Sequence, residues 1–525
     1  MKKNYVIQTN NISKIYDGKY AANKINLTVY SGEIFGLIGS NGAGKSTLIK
    51  MLTSLMPVSD GDAIVAGYSL RNEAENVRAC IGYVPQMISS DGNLTAYENL
   101  LLSARLYNIP ASEQNIRIKY ALDLMQLSDV AQQLVHSYSG GMIRRLEIAQ
   151  AMIHNPSILF LDEPTVGLDP ISRHNVWQHI HNLRNNTKMT IFLSSHQMDE
   201  IEALCDRIGI MNRGHLIKIG TISELKSQIG AHATLDDVFI NASSSNATIT
   251  EINPIETAST IERVKFNTNI LTYFKQAYAV YDVELKKLQR DPSELITRAF
   301  QPAIWLLLFG EVMANVRGIN SPNISYLDFL APGILAQSVL FSAIFYGISV
   351  IWERDLGILH RQLVSPAPRS ALIFGKAISA SLRGLSQAII VYFLAFILGI
   401  KVSFNAVDVS GVVLLICIGS ALFSTFSLIV ACIVKTRDRF MGIGQVLTMP
   451  IFFASNAIYP IELMPNWLKS ISVSNPLTYE VDGLRFLMLQ DGVSKYGVIF
   501  DFGILTATTF ILIIIAGSMY HRLTE

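Results

Sequence analysis

Apolar residues follow two different patterns in the two halves of this chain. Up to about residue 240, short apolar runs alternate with helical or turn segments. Four runs have the length and composition of strands: KINLTVY (24–30), EIFGLIG (33–39), SILFLDE (157–163) and MTIFLSS (189–195). Strands that alternate with helices are typical of a mostly parallel sheet covered by helices. The pattern therefore predicts an α/β domain over residues 1–240.

The second half of the chain contains much longer apolar runs. A helix that spans a membrane needs about 20 mainly apolar residues. Six runs approach or exceed this length: 299–316, 329–352, 384–400, 411–434, 440–459 and 502–519. Only 16% of the residues in the whole chain are charged, whereas a soluble domain has about 25%. We therefore predict an all-α polytopic membrane domain of six transmembrane helices over residues 266–525.

Basic residues in the loops predict the orientation of these spans. They cluster before the first span, after the second and after the fourth: Lys286, Lys287, Arg290, Arg298, Arg354, Arg361, Arg369, Lys435, Arg437 and Arg439. The other loops are poorer in basic residues, with Arg317 alone in the first and Lys401 alone in the second. By the positive-inside rule, the basic loops and both termini are cytoplasmic. The fused layout suggests a bacterial inner membrane, and the start of the chain lacks the apolar run of a signal peptide.

Charge and cysteine content exclude other classes of function. A net charge of +1 gives no electrostatic argument for a nucleic-acid partner. The four cysteines form no C-x-x-C pair, so we interpret them as small buried hydrophobes rather than as a metal site or a disulfide framework.

Two segments connect the halves. Residues 241–265 contain a low-complexity stretch, Asn241 to Thr260, that we predict to be a flexible linker. Tyr273, Tyr281 and Leu288 then share one face of a helix that also carries basic residues. Such a helix either lies along a membrane surface or packs on protein, and the pattern leaves both options open.

The stretch GSNGAGKST, directly after a predicted strand, matches the spacing of a phosphate-binding loop. Its glycines let successive backbone N–H groups face a phosphate, and the following helix presents its positive end to the same place. Lys45 would reach the outer phosphates of a nucleotide, and Ser46 would offer a hydroxyl to Mg²⁺. The loop residues predicted to bind the nucleotide are Gly39, Ser40, Asn41, Gly42, Ala43, Gly44, Lys45, Ser46 and Thr47.

Two further motifs lie downstream. ILFLDEP ends a buried strand in two carboxylates, of which Asp162 is placed to hold Mg²⁺ and Glu163 to activate a water. YSGGM, from Tyr138 to Met142, predicts a second anion-binding helix start. One nucleotide does not need two phosphate cradles from the same chain.

This ordered set resembles the ATP-binding cassette of ABC transporters, and the resemblance implies ATP with Mg²⁺ as the cofactors. In that family the signature of one protomer, here Ser139, Gly140 and Gly141, closes on the ATP of the other. The other elements follow in the family's order: Tyr16 stacks on adenine, Gln86 senses Mg²⁺, Asp169 lies at the dimer interface and His196 is the switch histidine. Alone, Tyr16 fits a core or surface role, and His196 fits an ordinary polar one.

The rest of the chain resembles an ABC type-2 membrane domain, and TLDDVF resembles the cassette ending of daunorubicin-type exporters. Tyr138 and Met142 depart from the commonest signature, although the same group shows this variant. The resemblance implies a short coupling helix after the second span, which we assign to Glu353–Leu363. An ordinary charged cytosolic loop is the alternative.

Polar residues within the predicted spans are candidates for substrate contact. One face of the fifth span and one face of the second carry them: Gln445, Thr448, Phe452, Asn456, Ser338, Phe341, Ser342 and Phe345. Interhelical hydrogen bonding and packing explain these faces equally well. Lys376 and Arg383 are expected near the cytosolic end of the third span, where their charges would snorkel to water.

The resemblance implies one half of a transporter, completed by a second copy as a homodimer. We predict ATP-driven export of a small amphipathic or lipid-like compound, with membrane lipid as a further partner. Three alternatives stay open: an exporter of a polysaccharide or glycolipid precursor, an ATP-dependent sensor that does not pump, and a non-transport ATPase. The apolar second half argues against the last of these.

Overall fold

A computed structural model describes residues 4–230, 232–244, 269–291, 293–314, 325–434 and 436–524. The chain forms two compact units. The first comprises residues 1–275, 354–367 and 524–525, and the second comprises residues 276–353 and 368–523. Most of the predicted linker lies outside the described residues, as do Arg317, Lys435 and the side chain of Arg298.

Eleven strands are described, all in the first unit. They are β1 (Tyr5–Tyr16), β2 (Lys19–Ile25), β3 (Thr28–Tyr30), β4 (Ile34–Gly39), β5 (Asp60–Val65), β6 (Tyr68–Ser69), β7 (Ile81–Val84), β8 (Ile158–Asp162), β9 (Thr190–Ser195), β10 (Arg207–Asn212) and β11 (His215–Thr221). They form a six-stranded sheet in the order β11-β10-β4-β9-β8-β7, parallel except for β11, and an antiparallel sheet of β1, β2, β3, β5 and β6. The predicted parallel sheet is present, and the antiparallel sheet was not anticipated.

Nine α-helices alternate with these strands in the described residues up to Ser244. They are α1 (Lys45–Leu52), α2 (Ala74–Cys80), α3 (Ala96–Leu106), α4 (Ala111–Leu124), α5 (Gly140–Met152), α6 (Pro170–Thr187), α7 (Met198–Leu204), α8 (Ile222–Ser227) and α9 (Leu235–Ser244). Helix α9 therefore continues into the first four residues of the predicted linker.

The remaining described helices run from residue 270 onward. They are α10 (Ile270–Arg290), α11 (Ser293–Ile304), α12 (Glu311–Ala314), α13 (Tyr326–Asp355), α14 (Ile358–Val364), α15 (Arg369–Ile397), α16 (Ala406–Ile433), α17 (Arg437–Phe453), α18 (Asn466–Ser474), α19 (Pro476–Met488) and α20 (Val498–Met519). A π-helical turn, Trp305–Gly310, joins α11 to α12.

Aromatic side chains stack across the centre of the parallel sheet. Phe192 on β9 lies between Phe35 on β4 and Phe160 on β8, with ring centroids 5.5 and 5.4 Å apart. All three are fully buried, and cross-strand contacts of this kind hold neighbouring strands in register. The register in turn brings the carboxyl ends of these strands to one edge, where polar residues follow.

Four helices in the described part of the second unit are long and apolar enough to cross a membrane: α13, α15, α16 and α20. They match the second, third, fourth and sixth predicted spans. The first predicted span is a shorter apolar stretch, Phe300–Met313, that contains Pro302 and the π-helical turn. The fifth is α17, whose 17 residues end soon after Pro450. Proline removes a backbone donor and clashes with the preceding turn, which shortens regular helix.

Lys376 and Arg383 do not snorkel, contrary to our expectation. Lys376 is fully buried, and its Nζ lies 2.5 Å from Glu353 Oε2. Arg383 is also buried, 3.7 Å from a Glu284 carboxylate oxygen and stacked over the Tyr346 ring. Opposite charges inside the second unit therefore satisfy these cations in place of water.

Candidate active site

Four parallel strands end at the same edge of the six-stranded sheet and are followed by predicted site residues. The phosphate loop follows β4, Gln86 lies two residues after β7, Glu163 follows β8 and His196 follows β9. Ligand sites in open α/β sheets form at this carboxyl edge. The topology thus brings together residues that lie up to 157 positions apart (from Gly39 to His196).

The phosphate loop wraps around the Lys45 side chain. Lys45 Nζ donates to the backbone oxygens of Gly39 at 2.8 Å and of Ser40 at 3.3 Å. Gly44 has a φ of 101°, and a side chain there would collide with Ala21 and Met211. Only glycine fits this left-handed position without strain.

A cavity of about 580 Å³ lies over the loop. Loop residues, three predicted catalytic residues and two apolar residues line it: Asn41, Gly42, Ala43, Gly44, Lys45, Ser46, Thr47, Gln86, Glu163, His196, Ala21 and Val166. Gly39 and Ser40 are not part of this lining and instead hold Lys45.

Asp162 is buried beside the phosphate-loop helix. Its Oδ1 accepts hydrogen bonds from Ser46 at 3.1 Å and Ser194 at 2.6 Å. Burial raises the pKa of Asp162, while these two hydrogen bonds act in the opposite direction. A buried carboxylate beside a serine hydroxyl and the Gln86 amide forms the all-oxygen donor set that Mg²⁺ prefers. The residues present therefore fit this ion.

Three predicted residues converge on the Glu163 carboxylate. Gln86 Nε2 donates to Oε2 at 2.9 Å, His196 Nδ1 lies 3.2 Å from Oε1, and Lys45 Nζ lies 3.5 Å from Oε1. Glu163 itself has a φ of 49°, which is strained for a residue with a side chain. The backbone N–H of Glu163 is held by Ser194, so the surrounding structure supports the strained conformation.

Tyr16 lies at the end of β1 and does not line the cavity. The residue is 37% exposed, and its hydroxyl contacts Met56 Sδ at 2.7 Å. Its role toward adenine stays a prediction.

Of the signature residues, Ser139 and Gly140 are exposed and Gly141 is buried, and none of the three lines the cavity of its own chain. Ser139 caps α5 by accepting from Met142 N at 3.3 Å, and Gly140 is exposed beside it. Asp169 caps α6, and hydrogen bonds from Ser172 lower its pKa. A Cβ at Gly141 would meet Ser172, so the two helix starts pack together.

Residues 354–367, here called the docking segment, fold with the first unit and contain α14. Arg78 Nε donates to Ser365 O at 3.0 Å. Arg361 donates to Gln150 Oε1 at 2.5 Å and to Asn99 Oδ1 at 3.3 Å. The predicted coupling helix, Glu353–Leu363, therefore overlaps α14, which begins five residues later, at Ile358.

The sequence motifs do not include two buried polar residues on one face of α5, Arg144 and Glu147. Arg144 donates to the backbone oxygens of Pro85 at 2.7 Å and of Gln86 at 2.9 Å, and it pairs with Glu147 at 2.9 Å. Glu147 accepts from Ser89. Buried polar residues at i and i+3 on a helix were the available signal.

The predicted substrate faces are only partly assembled. Phe341 and Phe345 are half-buried with ring centroids 6.4 Å apart, and Gln445 is exposed on α17. Asn456 is buried and lies beyond the end of α17, so it does not continue the helical face of Gln445.

Comparisons with known proteins agree with this arrangement. Residues 22–166 match the family model described as "ABC transporter", and residues 275–489 match the model described as "ABC-2 type transporter". Together the two models cover both units of the chain in the expected order.

Three relatives illustrate the similarity. The linearmycin resistance ATP-binding protein LnrL of Bacillus subtilis is 41% identical over 225 residues, which are 43% of this chain and 72% of LnrL. The daunorubicin/doxorubicin resistance ATP-binding protein DrrA of Streptomyces peucetius is 39% identical over 226 residues, 43% of this chain and 68% of DrrA. The mouse phospholipid-transporting ATPase ABCA3 is 40% identical over 229 residues, also 43% of this chain, but the match spans only 13% of ABCA3. The chain therefore belongs to the ABC transporter family, as an ATP-binding-cassette ATPase joined to an ABC-2 type membrane domain.

Proposed function

We propose that this chain is half of an ATP-driven exporter that moves a small amphipathic or lipid-like compound across a cell membrane. The observation that carries the proposal is the convergence of Lys45, Glu163 and His196 on one polar cavity. In the part of the chain that the structure describes, four helices are long and apolar enough to cross a membrane. Phosphate-binding and water-activating residues in a chain with membrane-spanning helices fit a protein whose ATP turnover drives movement across the membrane.

In this proposal each residue of the cavity has a distinct task. The backbone of the phosphate loop and Lys45 bind the ATP phosphates. Ser46, Asp162 and Gln86 hold Mg²⁺, which neutralises phosphate charge when bound. Glu163 accepts a proton from the attacking water, and its contact with His196 orients it toward the terminal phosphate.

The proposed machine is a homodimer. Ser139 and Asp169 are exposed and outside the cavity lining, which leaves them available to a second cassette. A two-fold dimer would complete two equivalent sites, each from the phosphate loop of one copy and the signature of the other. ATP binding would favour the closed dimer only through its higher affinity for that state.

We further propose that the membrane domain crosses a bacterial inner membrane six times, with the cassette and both termini in the cytoplasm. The stretch Phe300–Met313 and helix α17 would supply the two spans that are shorter than the others. The docking segment would transmit cassette movement to the spans on either side of it. Basic residues such as Arg354 and Arg369 support this orientation.

The names of the relatives support the proposed substrate class. They concern resistance to linearmycin and to daunorubicin, and transport of phospholipid. These compounds combine polar and apolar parts.

The test is ATP turnover by the full chain in lipid nanodiscs, with Glu163→Gln as the matched variant. We expect turnover that falls by about 10²-fold or more in the variant, as for loss of a general base. We also expect stimulation by linearmycin, daunorubicin or phospholipid. Stimulation only by glycolipid or polysaccharide precursors would favour that alternative. Equal turnover in both proteins would contradict the proposal and favour a sensor.

A further inference from the structure

Ser194 contacts both carboxylate residues of the site. It is the fifth residue of β9, is completely buried and pairs in register with Asp162 on β8. Its hydroxyl donates to Asp162 Oδ1 at 2.6 Å and accepts from the backbone N–H of Glu163 at 3.2 Å. The phosphate-loop motif and the Asp162–Glu163 pair do not include this residue.

The two contacts fix different parts of the site. The length of the bond to Asp162 is typical of a charge-assisted hydrogen bond between a hydroxyl and a carboxylate. Because Ser46 donates to the same oxygen, Asp162 Oδ1 is engaged twice, and among the described residues nothing donates to Oδ2. The Asp162 carboxylate is therefore held in one orientation, in which Oδ2 is available to a cation.

The contact with Glu163 acts on the backbone. The backbone N–H of Glu163 donates to the backbone oxygen of Ser194 at 3.1 Å and to its hydroxyl oxygen at 3.2 Å. This N–H belongs to the residue with a φ of 49°. A strained conformation persists only where its surroundings hold it, and Ser194 supplies that hold.

We propose that Ser194 is a positioning residue that aims Asp162 at the bound divalent cation and keeps Glu163 in its strained backbone conformation. The inference rests on the proposed function, because it assumes that Asp162 binds the cation of a nucleotide complex. Ser46 would give up its bond to Asp162 in order to ligate that cation, whereas Ser194 would keep its bond. Groups that orient metal ligands in this way typically change metal affinity by about 10–100-fold when removed.

Thr190 offers a matched control on the same strand. Its hydroxyl is buried, accepts a single hydrogen bond from Gly32 N at 2.9 Å and lies at the opposite end of β9. Ser194→Ala and Thr190→Val each remove one buried hydroxyl from β9. Only Ser194→Ala removes a hydroxyl that contacts Asp162 and Glu163.

The experiment measures Mn²⁺ affinity by electron paramagnetic resonance on the full chain in nanodiscs with saturating adenylyl imidodiphosphate. Mn²⁺ takes the same oxygen ligands as Mg²⁺. We expect binding about tenfold weaker in Ser194→Ala, an intermediate loss in Ser194→Cys, and wild-type affinity in Thr190→Val. Melting temperatures of all variants are measured alongside, so that Mn²⁺ affinities are compared only between proteins that are folded at the assay temperature.

Equal Mn²⁺ affinity in Ser194→Ala and Thr190→Val would overturn the inference while leaving the proposed function intact. If Ser194→Ala does not fold, Ser194→Cys decides by the same comparison. No nucleotide-dependent Mn²⁺ binding in the wild-type protein would instead overturn both the inference and the proposed function.

Discussion

The guanidinium of Arg361 donates to Gln150 Oε1 at 2.5 Å, which joins the docking segment to helix α5. The first turn of the same helix carries Gly140 and Gly141 of the signature. Gln150 Oε1 also accepts from the Ser90 hydroxyl at 3.0 Å, and Arg144 on the same helix donates to the backbone oxygen of Gln86. One helix therefore connects the docking segment, the Gln86 loop and the signature.

Arg361→Ala is expected to uncouple substrate stimulation from basal ATP turnover. Loss of hydrogen bonds from a charged donor costs about 1.5–3 kcal/mol, equivalent to roughly tenfold or more in a coupled equilibrium. The cavity residues are untouched, so nucleotide affinity and basal turnover should remain close to wild type. Turnover of the full chain in nanodiscs, with and without a stimulating compound, measures both quantities.

Arg71→Ala is the control, because this exposed arginine likewise donates a hydrogen bond within the first unit, but to the backbone oxygen of Gly61 rather than to Gln150. It should leave stimulation unchanged. Full stimulation in Arg361→Ala would show that the docking segment does not transmit movement through Gln150.

The composite site predicts that two inactive variants restore activity when mixed. Lys45→Ala removes the charge that binds the outer phosphates. Ser139→Asp keeps an acceptor for the Met142 N–H, since aspartate is a good helix cap, but repels phosphate. Each variant alone should have little turnover. A mixed dimer contains one intact site, formed by the phosphate loop of the Ser139→Asp copy and the signature of the Lys45→Ala copy.

The readout is ATP turnover after co-expression of differently tagged chains and tandem purification of the mixed dimer. We expect about half of wild-type turnover if the two sites act independently. Turnover as low as in the separate variants would contradict a site shared between copies. A pair of Lys45→Ala chains with different tags controls for the purification.

The sequence was sufficient to locate the cavity because its residues follow strands that alternate with helices. Lys45, Glu163 and His196 meet where the parallel strands end, as the motifs predicted. Ser194 was missed because β9 ends in two serines, Ser194 and Ser195, and the sequence does not show which of them contacts the carboxylates. The antiparallel sheet was missed because pairing between β1 and β5 depends on contacts far apart in sequence.

The membrane half was less predictable from hydropathy. Apolar composition identified α13, α15, α16 and α20, but it does not show where a helix stops. Helix α17 ends at Phe453, so Gln445 and Asn456 do not share the continuous face that their spacing predicted. Likewise, the burial of Lys376 depends on Glu353, which lies 23 residues away and is brought close only by folding.

Removal of Glu147 is expected to destabilise the cassette strongly. Its carboxylate is 1% exposed and accepts from Arg144 and Ser89, so Glu147→Ala leaves a buried cation without its partner. Such losses cost about 3–5 kcal/mol. Glu113→Ala breaks an exposed pair with Arg117 and should cost about 0.5 kcal/mol or less.

Thermal unfolding of the full chain measures the difference between these two variants. The Arg144→Ala/Glu147→Ala double variant should lose less stability than the sum of its single variants, because neither charge is then left alone. Equal melting temperatures for Glu147→Ala and Glu113→Ala would contradict a structural role for the buried pair.

The buried side chain of His360 is expected to make the docking segment sensitive to acid. Burial lowers the pKa of His360 to about 4, and the nearby charges of Lys50 and Arg354 act in the same direction. In the unfolded chain its pKa is about 6.5, so below that pH the unfolded state takes up a proton that the folded state resists. The stabilising contribution is therefore complete above about pH 6.5 and is lost as the pH falls toward 4.

His360→Leu places an apolar side chain of similar size at this position and removes its titration. The wild-type protein should lose about 2–3 kcal/mol more than the variant as the pH falls from about 7.5 toward 4, from the pKa difference. Thermal unfolding of both full chains across this range measures the slopes. His154 is buried in the cassette core, and burial lowers its pKa to about 3, so it destabilises both proteins alike. Parallel slopes would contradict a proton-resisting His360, whereas a shallower slope in the variant attributes the difference to this contact.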